Sequence, residues 1–283
     1  MINLEKALAD GIKRDGDNWG EDKLHVSDLG IAPSIKSSDR KCPRKFWLRY
    51  NGYEKEETGP GTQLMFDQGH ALEKKAVETL KYGLPDDVRI VSTQMDITPG
   101  LPGDFTGRLD ALLWRCGEYM IVDFKTRRGN AFRYNSTVKP SNKYQVGGYI
   151  YALNKMFDDY EVKHGAILEI DREGSNFARE FHFNWTPEFR KLIRDAFTYV
   201  HEVSESEEPP PLLDPKIERN ENKGPDSITA DLPWQCSYCD YRSVACPGAI
   251  PQKFDDDLGK VVGHIRDGEF EPKVEGLEEY ISL

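Results

Sequence analysis

FTGRLDALLWRCGEYMIVDFK, residues 105–125, decides the fold. Its first half, 105–114, and its last part, EYMIVDFK at 118–125, are rich in apolar, β-branched and aromatic residues, and both read as strands. Arg115-Cys116-Gly117 between them is a short turn with a glycine, so the two strands form a hairpin. Side chains alternate along a strand, so Asp123 and Lys125 share one face. Hairpin pairing puts Asp110 across from them. Two carboxylates and an ammonium then meet at one end of a sheet. Oxygen ligands of this kind suit a hard divalent cation, Mg²⁺ or Mn²⁺. Such a cation can hold a phosphodiester oxygen and activate a water, while Lys125 positions that water or steadies the developing negative charge. The plain alternative is an exposed strand face carrying an ordinary Asp–Lys pair.

Upstream, 88–97 (VRIVSTQMDI) reads as a third strand, and 64–82 as an amphipathic helix with Leu64, Leu72, Ala76, Val77 and Leu80 toward the core. Residues 24–31, LHVSDLGI, open a helix with Ser27 as its N-cap. Residues 1–22 are a polar, loosely held leader. Downstream, 142–157 is helical, 163–171 and 177–184 are strands, and Thr186-Pro187 starts a helix to about 203 with proline at its first position. Helix, three strands, helix, strand pair, helix is an α/β order: a sheet flanked by helices.

The chain has 283 residues, enough for one large domain or a domain with a satellite. No apolar run approaches membrane-spanning length, and the N-terminus lacks the apolar stretch of a signal peptide, so the expectation is a cytoplasmic protein with cysteines as thiols or metal ligands. The net charge of −11 by itself speaks against nucleic acid. Residues 1–201, however, hold 30 bases against 30 acids, and the excess lies in 202–231 (−6) and 251–283 (−5). A basic groove on the first two-thirds remains open.

Further polar residues sit at telling positions. Gly69-His70 lies on the helix before the sheet, with Glu73 one turn on. Gln145 and Tyr149 share a face of the 142–157 helix. Gly147 and Gly148 between them lower helix propensity, which makes sense where a backbone or ligand approaches closely. In order these pieces are GH at 69–70, GRLD at 107–110, DFK at 123–125 and QVGGY at 145–149. The series resembles the RecB-like branch of the PD-(D/E)XK nuclease superfamily. The resemblance implies a restriction-endonuclease-like central mixed sheet flanked by helices. It implies metal ligation by His70, Asp110, Asp123 and the carbonyl of Phe124. It implies Lys125 as catalytic lysine, with Gln145 and Tyr149 as the active-site helix pair.

Cys236 and Cys239 form a C-x-x-C, and six residues separate Cys239 from Cys246; Cys42 and Cys116 are candidates for a fourth ligand. A zinc knuckle and a cubane cluster both fit such a set. CPRKFWLRY at 42–50 and CSYCDYRSVAC at 236–246 resemble the split cysteine pattern of RecB-like iron–sulfur nucleases of the AddB and CRISPR-associated type. The resemblance implies a four-iron four-sulfur cluster on Cys42, Cys236, Cys239 and Cys246, in a small patch formed by N- and C-terminal segments. Zn²⁺ is the alternative, and Cys116 is left to pack as a small hydrophobe.

Arg44 and Lys45 beside Trp47, and Arg127 and Arg128 after the catalytic lysine, are candidate DNA-binding residues, because cations meet phosphates and rings stack on bases. A helix that buries its aromatics and solvates its bases is the other reading of 40–50. The domains expected are an N-terminal helical segment (1–63), a nuclease core (64–203), an acidic Pro-rich linker (204–231), a cysteine patch (232–250) and an acidic tail (251–283). The function expected is a metal-dependent DNA nuclease, an exonuclease on single strands or ends. The rivals are a non-catalytic iron–sulfur scaffold and an endonuclease of the same fold. With no helicase P-loop, unwinding falls to a partner helicase or a recombination or replication protein.

Overall fold

The computed structural model describes residues 23–246, except 135, 158–160, 175–176, 214–215, 220–226, 232, 238 and 243, together with 261–266 and 269–272. The leader at 1–22 and most of the acidic tail lie outside the described residues. In chain order the elements are β1 (Leu24–His25), a 3₁₀ helix (Val26–Ile31), α1 (Pro43–Tyr50), α2 (Pro60–Gly83), β2 (Val88–Asp96), a 3₁₀ turn (Thr98–Gly100), β3 (Phe105–Thr106), β4 (Arg108–Arg115) and β5 (Glu118–Arg127). Then follow α3 (Gly129–Tyr134), α4 (Pro140–Met156), β6 (His164–Asp171), β7 (Ala178–Asn184), α5 (Pro187–Glu205), β8 (Lys216–Arg219), β9 (Ser227–Asp231), α6 (Trp234–Ser237), β10 (Val261–Arg266) and β11 (Glu269–Pro272).

The chain divides into two compact units. The first comprises residues 1–41 and 58–206, the second 42–57 and 207–283. The first unit is built on a five-stranded mixed sheet, order β2-β4-β5-β6-β7, in which only β5 and β6 run parallel. The β4–β5 hairpin closes on two residues in the left-handed region, Cys116 at φ +50° and Gly117 at φ +90°. These are the angles of a tight turn whose twist matches its strands. Cys116 is therefore exposed at the tip rather than packed as a small hydrophobe.

One face of the sheet, Ala111, Leu113, Val122, Phe124 and Ala166, packs against Ala76, Val77 and Leu80 of α2. Leu64 does not join it and is 43% exposed, because α2 starts at Pro60 and meets the cluster only along its second half. The opposite face, with Leu112, Ile121 and Ile167 buried, carries α4. Helices α2, α4 and α5 all start with proline in the first turn, where a missing N–H costs nothing. Thr186 caps α5, accepting from Phe189 N at 3.2 Å.

The glycine pair in α4 has its explanation in packing. A Cβ on Gly147 would lie 2.6 Å from Ile193 of α5, and one on Gly148 2.6 Å from Val26 of the 3₁₀ helix. The stretch read as a helix capped by Ser27 is instead strand β1, paired parallel with β3, and then 3₁₀ helix. His25 is its N-cap residue, and the backbone N–H of His25 donates to Asp28 Oδ2 at 2.8 Å. Tertiary pairing of Leu24 with Phe105 overrides the local helical signal.

The second unit holds α1, α6 and a four-stranded antiparallel sheet, order β11-β10-β9-β8. Strands β8 and β9 lie in the stretch expected to be a linker, and β10 and β11 in the stretch expected to be a tail. The density of acids and prolines hid their short alternating patterns. In α1, Trp47 is buried with its ring 5.3 Å from Tyr53. Arg44 donates to the Pro210 carbonyl at 2.9 Å, and Lys45 pairs with Asp240. Of the residues offered above for DNA, Trp47 is thus buried in its own unit, and half-buried Arg44 and Lys45 have partners within it.

Candidate active site and thiol cluster

The β4–β5 ladder runs from Arg115↔Glu118 to Ala111↔Val122, and the next step places Asp110 beside Asp123. Asp123 and Lys125 share the face that carries α4. Lys125 Nζ lies 3.0 Å from Asp123 Oδ1 and 2.8 Å from Oδ2. The Phe124 N–H donates to Asp110 Oδ2 at 2.9 Å. Glu73 of α2 lies within electrostatic reach of this group, feeling Lys125, Asp123 and His70. From α4, Gln145 Nε2 donates to Tyr149 OH at 2.5 Å, and Tyr149 is buried against the same carboxylates. His70 is exposed on α2, on the same face as Glu73. The residues expected at the site thus gather from α2, β4, β5 and α4.

Three carboxylates packed so closely cannot all ionise cheaply. Burial, and then the neighbouring Asp123, push the Asp110 carboxyl up to about 8, against the partial relief of Lys125. Burial raises Asp123 as well, although Lys125 and a hydrogen bond with Asp110 draw it back. Burial also raises Glu73. Burial pulls Lys125 down, but Asp123, Asp110 and Glu73 together lift it above its ordinary value. Lys125 is therefore held charged at neutral pH, while burial and mutual repulsion push Asp110 and Asp123 toward their protonated forms. Burial and the facing carboxylates push the Tyr149 hydroxyl far up, so it stays neutral.

Among the described residues no three His, Cys, Asp or Glu side chains form a ready-made cage for a single metal ion. The donor chemistry nonetheless fits a hard divalent cation. Such a cation would neutralise the crowded carboxylates and relieve the repulsion that raises Asp110.

Two residues the sequence reading passed over belong here. Gln94 of β2 falls between the pairs Thr93↔Ala111 and Met95↔Leu109, directly across from Asp110. Its backbone is left-handed, φ +50°, and its Nε2 donates to Glu73 Oε1 at 2.8 Å. A register shift between Ile90 and Ser92 hides this pairing from sequence arithmetic. Glu169 of β6 stands in register with Lys125 on one side and Arg179 on the other. It is fully buried and ion-paired to Arg127 and Arg179. Arg127, expected to face DNA, thus spends its charge on Glu169, while Arg128 is exposed. A lone acid at an alternating strand position gave no hint of this role.

In the second unit Cys42, Cys236, Cys239 and Cys246 line one cavity with Arg44, Lys45 and Arg242. Cys42 caps α1, its Sγ accepting from Lys45 N at 3.4 Å. Burial, and then Cys42, Cys239 and Cys246, push the Cys236 thiol up to about 11. Burial also raises Cys42 and Cys239. The four thiols therefore sense one another in a pocket rimmed by cations.

No curated protein is recognisably similar in sequence. Among solved structures, SSO0001 is 17% identical with a TM-score of 0.46, covering 87% of this chain and 97% of that one. The alkaline exonuclease LHK-Exo of Laribacter hongkongensis is 10% identical with a TM-score of 0.43, covering 70% and 94%. A phage-related exonuclease from Haemophilus somnus 129PT is 15% identical with a TM-score of 0.44, covering 64% and 93%. The family profile of the PD-(D/E)XK nuclease superfamily matches residues 54–247. With that match, the mixed sheet and the acid–lysine cluster at its end, the chain belongs to the PD-(D/E)XK nuclease superfamily and is a DNA nuclease.

Proposed function

We propose that the protein is a Mg²⁺- or Mn²⁺-dependent exonuclease that hydrolyses phosphodiester bonds of single-stranded DNA or DNA ends. The observation that carries this reading is the buried Asp110–Asp123–Lys125 cluster, with Lys125 Nζ 3.0 Å from Asp123 Oδ1 and Asp110 held by the Phe124 N–H. Asp110, Asp123 and the Phe124 carbonyl, with His70 and Glu73 from α2, would hold the cation. When bound, the cation supplies positive charge at the scissile phosphate and acidifies water beside it. Lys125, held charged, lies ready to stabilise the negative charge that grows on the phosphate oxygens, a role for a cation and not for a base. Gln145 holds the Tyr149 hydroxyl, which is buried within electrostatic reach of the carboxylates.

Cys42, Cys236, Cys239 and Cys246 are proposed to bind a four-iron four-sulfur cluster, of the kind found in the AddB-type and CRISPR-associated iron–sulfur nucleases. The common cavity lined by all four thiols supports this. The role is structural. Closing a loop of roughly 200 residues restricts the unfolded chain. Anaerobic purification should give a brown protein with iron and sulfide. Stoichiometric zinc without iron would overturn the cluster.

The nuclease reading is tested with end-labelled linear and circular single-stranded DNA, with Mg²⁺ or Mn²⁺ and an EDTA control. Linear DNA should be consumed from an end and circular DNA spared, and Lys125→Ala should abolish cleavage. Cleavage of the circle would make the protein an endonuclease. Full activity in Lys125→Ala would remove the mechanism. Entry into duplex DNA falls to a helicase or recombination partner.

A further inference from the structure

Beyond Lys125, β5 continues to Arg127 on the same face, about 7 Å further along the strand. There the chain has built a brace. Glu169, fully buried, ion-pairs with Arg127 and accepts from Arg179 Nε at 3.0 Å and Nη2 at 2.8 Å. Arg179 Nη1 donates to the Phe132 carbonyl at 2.9 Å, and the guanidinium stands 4.3 Å over the Phe132 ring. The Gly129 N–H donates to Glu173 Oε2 at 3.0 Å, and the Arg172 N–H to the Arg127 carbonyl at 3.0 Å. Helix α3 is thereby pinned to the β6–β7 hairpin.

From this rigid rim two aromatic side chains project into water: Tyr134 at the end of α3, 79% exposed, and Phe177 before β7, 82% exposed. Phe177 also has φ +64°. A left-handed backbone is disfavoured for a residue with a bulky side chain, and glycine or asparagine is usual there. The fold thus holds a phenyl ring in water from a strained position. Neither burial nor backbone geometry accounts for phenylalanine at this site. Arg128, Arg133 and Lys139, all exposed, make the neighbourhood cationic, with Glu173 the exposed acid among them.

We propose that Tyr134 and Phe177 form a stacking platform for the bases of single-stranded DNA next to the scissile bond. The rings meet the bases, and the surrounding arginines and lysine meet the phosphates. This deepens the nuclease reading and rests on it. The platform lies in continuity with the catalytic strand, so a strand whose phosphate sits at Lys125 passes over it. A flat ring accepts any base, which suits an enzyme that degrades DNA regardless of sequence.

The test measures binding of the full-length protein, in EDTA so that nothing is cut, to a short labelled single-stranded oligonucleotide. A second oligonucleotide of equal length, abasic throughout, keeps the phosphates and removes the bases. Wild type should bind the base-bearing strand roughly 5- to 100-fold more tightly than the abasic one. Phe177→Gly combined with Tyr134→Ala should bring that ratio close to one. Phe177→Gly and Phe177→Asn both suit the left-handed backbone, so each should melt no lower than wild type while losing part of the ratio. A wild-type ratio near one, or an unchanged ratio in the folded double variant, overturns the platform. The Mg²⁺ cleavage assay separates the two ideas. Cleavage together with equal binding of the base-bearing and abasic strands sinks the platform alone; absence of both cleavage and DNA binding sinks both.

Discussion

Asp110→Asn should make the metal-free protein more stable at alkaline pH while abolishing cleavage. The Asp110 carboxyl sits at about 8 in the folded chain, against an ordinary value of 3.8. Between those values the native state keeps a proton that the unfolded chain gives up. Stability therefore falls as pH rises through this window, by up to about 1.4 kcal/mol per pH unit, and what this proton contributes is lost above about 8. Full ionisation thus costs on the order of 5 kcal/mol, shared with Asp123, whose charge is one of the causes. Asparagine cannot ionise and fills nearly the same space. In EDTA, urea unfolding at pH 5, 7 and 9 should show wild type losing several kcal/mol relative to Asp110→Asn as pH rises. Parallel pH profiles, or an Asp110→Asn variant less stable than wild type at pH 9, would refute the picture of a crowded carboxylate pair pushed toward its protonated forms.

The same repulsion makes divalent cations stabilising. At pH 8, millimolar Mg²⁺ or Mn²⁺ should raise the melting temperature of wild type but not of Asp110→Asn/Asp123→Asn, as scanning calorimetry would show. Replacing Glu169 by Gln leaves buried Arg127 and half-buried Arg179 without their counter-charge, which should cost about 3–5 kcal/mol in chemical unfolding; a loss below about 1 kcal/mol would mean the brace is slack. A Cβ on Gly100 would meet the Ala152 carbonyl oxygen at 2.2 Å, so Gly100→Ala should destabilise by about 1–3 kcal/mol. Gly61, in the first turn of α2 with nothing near its missing Cβ, should instead gain about 0.4–1 kcal/mol as alanine.

What the amino-acid order determined alone was local and periodic. Alternation in 105–125 and the Cys116-Gly117 turn set the hairpin, and the hairpin sets Asp123 and Lys125 on one face with Asp110 opposite. The proline and threonine at 186–187 set the start of α5. Gly147 and Gly148 announced a close approach, though not that Ile193 and Val26 make it. These features depend on neighbours a few residues away, so a linear reading reaches them. Only the tertiary structure brought Gln94 to Glu73, Glu169 between Arg127 and Arg179, and Cys42 into one cavity with three cysteines some 200 residues on. It also buried Trp47, gave Arg44 and Lys45 partners at Pro210 and Asp240, and made strands of residues whose composition reads as linker. Those arrangements are set by pairing register and by burial of charge against distant partners. Both are sums over contacts between remote segments, and the energy of such contacts leaves no periodic mark on either segment alone.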